Sequence, residues 1–175
     1  MVGRSDGTTR PGGPEDLEFL WDMLYEAVSW RPEEPGPPRD EVLSDPHVAC
    51  YLEGWGRPGD TAVVYLDPAT ASRTGAAWYR FMPPEEPGYG FVEPSVPELT
   101  LAVVPGHRGL GAGTALLAIL TETARLRGVR ALSLSVERDN PVLRLYEQSS
   151  FAKLFQVGNA WTMKKGLSAA GEAPG

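Results

Sequence analysis

Cysteine, histidine, long apolar runs and excess positive charge are all scarce in this sequence, and each shortage removes a class of function. Cys50 is the only cysteine, so no internal disulfide forms, and a reduced, half-buried thiol is the expected state. With two histidines and one cysteine, the chain offers no metal-ligand cluster. No Ser/His/Asp or Cys/His constellation stands out, which argues against a covalent nucleophile. No apolar run approaches the roughly 20 residues of a membrane span. Met1 to Pro14 lacks the apolar core of a secretory leader, so a cytoplasmic location is expected by default. Lys and Arg total 16 against 23 Asp and Glu, a net charge of −7. A general nucleic-acid binder shows a basic face instead, whereas an acidic chain suits a cationic partner such as an amine.

Glycine and proline are plentiful, at 20 and 17 residues, and they gather between the segments that read as strands and helices. The length fits one domain with one core, expected over 1–167, with 168–175 as a small, polar, flexible tail. Thr8 and Thr9 open a short strand. Asp16 to Trp30 has Leu17, Leu20, Leu24, Ala27 and Val28 at helical spacing. Asp40 to Glu53 is a weaker helix interrupted by Pro46. TAVVYL at 61–66 and the segment 74–82 read as a strand pair. A proline-rich loop, 83–97, carries Tyr89, Phe91 and Glu93, and loops of this length are often functional. ELTLAVV at 98–104 is a strong strand. Leu110 to Arg127 is the clearest helix, with Ala112, Leu116, Ile119, Leu120, Thr123 and Leu126 marking its packing face. ALSLSVE at 131–137 is a strand, Asn140 and Pro141 open a helix to Gln148, and two final strands flank Gly158-Asn159. The central strand-helix-strand unit is expected to be parallel with a right-handed crossover. The fold class is therefore α/β: one mixed, mostly antiparallel sheet of about seven strands with helices on both faces.

The stretch from Val103 to Thr114, VVPGHRGLGAGT, carries the most chemistry. A strand ends, glycines permit an unusual turn, and a long helix begins. Backbone N–H groups at a helix start lack internal partners, and the helix dipole adds positive charge there. Glycine lets a bulky anion approach the backbone. Together they form a diphosphate cradle, with Arg108 adding a fixed positive charge and Thr114 a hydroxyl. A nucleotide P-loop needs a lysine that Gly113-Thr114 does not supply. A dinucleotide turn places a third glycine where Thr114 stands, although Glu137 ends the next strand where a ribose-binding acid would sit. A turn that only packs closely is the remaining alternative.

Arg108-x-x-Gly111-x-Gly113 resembles the coenzyme A signature of the GNAT superfamily of N-acetyltransferases. The likeness continues through LSLSVE, Asp139-Asn140-Pro141, Leu145-Tyr146-Glu147 and Phe151, and is looser toward the N-terminus. One departure is Ser150-Phe151, where the family usually has Gly-Phe; altered loop geometry is expected there. The resemblance implies acetyl-CoA as co-substrate, with no metal, and a small amine or peptide as acceptor; a homodimer fits family habit. It implies cofactor contacts from the backbone of Leu101, Ala102 and Val103, from the turn residues Arg108, Gly109, Leu110, Gly111, Ala112, Gly113 and Thr114, and from Asn140, which also reads as a helix cap. Arg144, one turn further on, is a lesser candidate for a phosphate contact.

Aminolysis of a thioester needs a base for the amine, a donor for the oxyanion and an acid for the leaving thiolate. By the same resemblance Glu98 is the candidate base, acting directly or through water, since it starts the strand where many relatives carry a catalytic glutamate and a desolvated carboxylate can accept a proton near neutrality; the alternative is a solvated strand-edge glutamate. Glu93 is a second candidate. Tyr146 is the candidate acid by resemblance; the alternative is a core aromatic. Tyr89, Phe91 and Glu93 are the candidate acceptor contacts. Among the five tryptophans, each is a candidate wall or a core residue. A non-catalytic acyl-CoA-binding or regulatory module is the rival function.

Overall fold

The β-branched and aromatic segments of the sequence line up as one seven-stranded sheet in the order β1-β2-β3-β4-β5-β7-β6, in a computed structural model that describes residues 8–32 and 35–169. The strands are β1 (Thr9–Pro11), β2 (Thr61–Leu66), β3 (Arg73–Arg80), β4 (Glu98–Val103), β5 (Ala131–Glu137), β6 (Ala152–Val157) and β7 (Ala160–Gly166). The helices are α1 (Leu17–Val28), α2 (Arg39–Ser44), α3 (Pro46–Ala49), α4 (Ala112–Leu126) and α5 (Leu143–Gln148). All pairings are antiparallel except β4 with β5. No described helix is long and apolar enough to cross a membrane. Most of the tail expected at 168–175 lies outside the described residues.

Period-two alternation on the central strands divides the interior into two layers. Leu99, Leu101 and Val103 join Leu116, Leu117 and Leu120 of α4, Leu132 and Leu134 of β5, and Tyr146 of α5 in one cluster. Ala76, Trp78 and Ala102 join Leu20, Met23 and Leu24 of α1 in the other. Helices therefore cover both faces, as expected.

Two local expectations are corrected, and a third, the interruption at Pro46, is present but ends in a shorter second helix. The face of α4 that packs is Ala112, Leu116, Leu117, Leu120 and Ala124, while Ile119 and Leu126 are exposed; at about 100° per residue those two lie roughly a quarter turn or more away from Leu120, on the flank of the stripe. The 40–53 segment is two short helices, because Asp45 leaves the helical conformation and its side chain caps the His47 N–H at 2.9 Å, with Pro46 as the first residue of α3. Cys50 is fully buried rather than half-buried, which pushes its thiol pKa up to about 11.

Two ionic knots hold the frame, the first around the buried Asp16 with half-exposed arginines and the second buried on both sides. Asp16 receives Arg10 at 2.7 and 2.9 Å, the Gly13 N–H at 2.8 Å and Arg73 at 3.2 Å. The Arg10 hydrogen bonds in particular lower its pKa to about 2, joining β1, the start of α1 and β3. Arg80 on β3 is buried with Asp60 at 2.7 Å and also donates to the carbonyls of Cys50 and Glu53. That arginine fastens the chain after α3 to the sheet, next to the first residue of β4.

Candidate active site

The turn between β4 and α4 is built from left-handed glycines. Gly106, Gly109 and Gly111 have φ of 89°, 77° and 93°, and a Cβ on any of them would meet no atom within 4 Å. These glycines thus serve backbone conformation and an open space in front of it, not close internal packing. The first helical hydrogen bond runs from the Ala115 N–H to the Gly111 carbonyl at 3.1 Å, so the preceding amides of the first turn have no helical acceptor. Regular helix starts at Ala112 rather than Leu110, because Gly111 is its left-handed cap. Arg108 is fixed by its own turn, donating to the Val103 carbonyl at 3.0 Å, and reaches Glu26 of α1 at 3.2 Å. Gly113 is a different case: a Cβ there would lie 3.2 Å from Leu145, so its smallness lets α4 pack against α5.

β4 and β5 are paired only at Glu98 with Ser133. Beyond that point the two parallel strands separate, and β4 backbone groups facing β5 lose their ladder partners. A cleft of about 970 Å³ fills the split, lined by Leu99 to Val103, Arg108, Gly109, Gly111, Gly113, Thr114, Asn140, Arg144 and Tyr146. It opens also toward α1, where Trp30, Tyr51, Tyr89 and Glu98 line it.

Glu98 is 2 % exposed. Its Oε1 accepts from the Tyr51 hydroxyl and, at 2.7 Å, from the Gly90 N–H. Its Oε2 is buried without a hydrogen-bond partner. Burial raises the carboxyl pKa from 4.5 to about 7, against the opposing pull of those two donors. This is a desolvated carboxylate in the cleft wall, not a solvated edge residue. Tyr146 lines the cleft from the other layer; burial alone raises its phenol pKa, so the proton is held at neutral pH. Asn140 accepts the Val142 N–H at 3.0 Å, closing the turn ahead of α5, which begins at Leu143.

Tyr89 meets the cleft, but Phe91 packs half-buried against the α1-side cluster and Glu93 is exposed, bonded by the Ser95 hydroxyl at 2.6 Å. Neither lines the cleft, and neither do Leu110, 73 % exposed, or Ala112, buried in the core. Of the tryptophans only Trp30 lines it; Trp78 is fully buried. Tyr51 is the residue that sequence reasoning missed. It follows a four-residue helix in a segment without periodicity, and only tertiary packing brings it to Glu98.

A family model described as "Acetyltransferase (GNAT) family" matches residues 21–151. The chain belongs to the GNAT family. Among solved structures it is similar to the ribosomal-protein-alanine N-acetyltransferase from Brucella melitensis, with 25 % identity, a TM-score of 0.64, and coverage of 91 % of this chain and 99 % of that one. It shares its fold with YncA, a putative acetyltransferase from Salmonella typhimurium solved with acetyl-CoA, at 22 % identity, TM-score 0.66, and 96 % and 97 % coverage. PaiA N-acetyltransferase from Thermoplasma acidophilum, solved with coenzyme A, aligns at 17 % identity, TM-score 0.63, and 90 % and 97 % coverage. No curated protein matches the sequence.

The departure from the GNAT Gly-Phe pair is resolved by backbone geometry. Ser150 takes φ of 70°, the left-handed conformation that glycine adopts most readily. The Phe151 N–H bonds the Tyr146 carbonyl at 3.0 Å and the Ser150 N–H bonds that of Glu147 at 3.1 Å, while the Phe151 ring meets the Tyr146 ring at 5.9 Å. This is a Schellman end with its apolar contact, and it holds Tyr146 through both backbone and ring. Ser150→Gly is expected to stabilise the fold by about 0.5–1 kcal/mol, because left-handed strain exceeds the extra chain entropy of glycine. Chemical denaturation measures this, and unchanged or lower stability would contradict it.

Proposed function

We propose that this GNAT chain transfers the acetyl group of acetyl-CoA to the amine of a small molecule or peptide by direct attack in a ternary complex. One arrangement carries the reading. A desolvated carboxylate and a protonated phenol face one split between strands from opposite layers of the sheet, beside a glycine turn whose first-turn amides lack helical acceptors.

The residues present fit the donor substrate. The amides at 111–114 and the Arg108 guanidinium suit a diphosphate, and the unpaired β4 backbone suits an amide-bearing arm. Bound there, acetyl-CoA supplies an activated acyl carbon. Glu98 accepts a proton from the acceptor nitrogen, directly or through water, as the C–N bond forms. Free β4 N–H groups stabilise the oxyanion. As the C–S bond breaks, the Tyr146 hydroxyl gives its proton to the departing sulphur. The stacked Tyr51 and Tyr89 rings beside Glu98 favour a cationic amine as acceptor.

Thiol release from acetyl-CoA across a panel of amines and peptides tests the proposal. Amine-dependent release is expected, and CoA binding without turnover of any amine would support the non-catalytic module instead. Tyr146→Phe is expected to lower kcat by about 10²-fold with CoA affinity kept. An unchanged kcat and pH–rate profile would remove Tyr146 from the acid role.

A further inference from the structure

The Glu98 carboxylate has two unlike oxygens, and the difference traces to one tyrosine. The Tyr51 hydroxyl accepts the Tyr89 N–H at 2.8 Å and lies against Glu98 Oε1. A backbone N–H can only donate. With that donor occupying a lone pair of the phenol oxygen, the hydroxyl proton is left to point at Oε1. The Gly90 N–H, one residue further along, donates to the same oxygen. Both fixed donors converge on Oε1, and Oε2 keeps its lone pairs.

The surroundings hold Tyr51 more firmly than packing alone requires. The Trp78 indole donates to the Tyr51 carbonyl at 3.3 Å, and Arg80 donates to the carbonyls of Cys50 and Glu53 at 3.1 and 2.7 Å. Buried donors on β3 thus clamp the backbone on both sides of the residue. The loop half of the arrangement depends on two glycines. A Cβ on Gly88 would lie 2.1 Å from Glu98 Oε2 and 2.8 Å from the Tyr51 hydroxyl, and one on Gly90 would lie 2.4 Å from the backbone of Leu134. Only glycines at these positions let the loop reach between the carboxylate and β5.

We infer that Tyr51 is a positioning residue for the reaction: by holding Oε1 it keeps the Glu98 carboxylate in one orientation in the cleft wall, where it takes the acceptor's proton directly or through water. The inference rests on the proposed base role of Glu98. A donor aimed at a carboxylate favours the charged form, so Tyr51 holds the basicity of Glu98 below what burial alone would set. The other ionisable groups around it are Cys50, whose thiol lies within its field, Tyr89 in the loop, and Arg80 opposite it on β3, which is committed to Asp60.

The test compares wild type, Tyr51→Phe and a protein carrying 3-fluorotyrosine at position 51. It uses two readouts: the pH profile of amine acetylation, and the titration of the Glu98 carboxyl followed by carbon-13 NMR of glutamate-labelled protein. Removing a hydrogen bond to a charged group should move both the Glu98 titration and the acid limb of kcat/KM upward by about one to two pH units. The fluorinated phenol, a stronger donor without change of shape, should move them downward. Thermal melts confirm that the proteins compared are folded. An active wild type whose limb and Glu98 titration stay put in both altered proteins overturns the role of Tyr51 and leaves the acetyltransferase reading intact. A wild type that acetylates no amine overturns that reading, and this inference with it.

Discussion

Glu98→Gln is expected to lower kcat/KM for the acceptor amine by about 10³-fold at neutral pH, while stabilising the protein in alkaline solution. The activity loss follows from deleting the proton acceptor, within the range found for such groups. Stability moves the other way because burial opposes the charge. The folded-state pKa is raised from 4.5 to about 7, so between those values the folded protein keeps a proton that the unfolded chain has released. Stability tied to this group is full below pH 4.5, falls as pH rises toward 7, and is lost above it, by at most on the order of 3 kcal/mol. Glutamine mimics the protonated acid, can still accept from Tyr51 and Gly90 through its oxygen, and has no charge to desolvate. Urea unfolding at pH 5 and pH 8.5 should therefore show a smaller pH difference in the variant than in the wild type. The acid limb of the rate profile near pH 7 should disappear with it. Equal pH dependence of stability in both proteins would mean that the carboxylate is solvated, and activity within threefold of wild type would remove it from the chemistry. Opposite signs for activity and stability also separate this variant from a substitution that merely damages the fold.

How far the sequence revealed this site depends on the range of the interactions involved. The glycine turn, β4 and α4 are local: hydrophobic period, helix caps and glycine runs are written in consecutive residues and place Arg108 at the turn, whereas Glu98 and Tyr146 were singled out by their resemblance to GNAT positions. Tyr51 could not, because its position comes from Trp78 and Arg80 on β3 holding carbonyls of a segment some thirty residues earlier. The 83–97 loop is an intermediate case. Its content suggests acceptor contacts, but Gly88 and Gly90 turn the chain so that Tyr89 meets the cleft while Phe91 and Glu93 do not. At Ser150 sequence reasoning stopped at residue type: a left-handed serine is uncommon, and the hydrogen bonds around it are what keep the turn. Ile119 and Leu126 were expected inside because they are apolar, yet the sheet contacts α4 along a narrower stripe.

The second large effect is expected at the turn itself. Gly111→Val should weaken CoA binding by about 10²–10⁴-fold in calorimetry. At φ of 93° a β-branched residue is a steric outlier, and the backbone relieves it by rotating the amides of 111 to 114 away from a common focus. Losing two charge-assisted hydrogen bonds to a diphosphate, each about 1.5–3 kcal/mol, gives an effect of that size. Strain alone would also lower stability, so the comparison must hold strain constant. Gly128 offers that control. Its φ is 79° and a Cβ there also meets nothing within 4 Å, but it lies beyond the opposite end of α4, roughly 25 Å away at 1.5 Å per residue. Gly128→Val should lose similar stability and keep CoA affinity. Equal loss of CoA binding in both variants would trace the effect to a weakened fold. Retained binding in Gly111→Val would mean that the anion is held elsewhere, and both the cofactor and the reaction assigned to this cleft would fall.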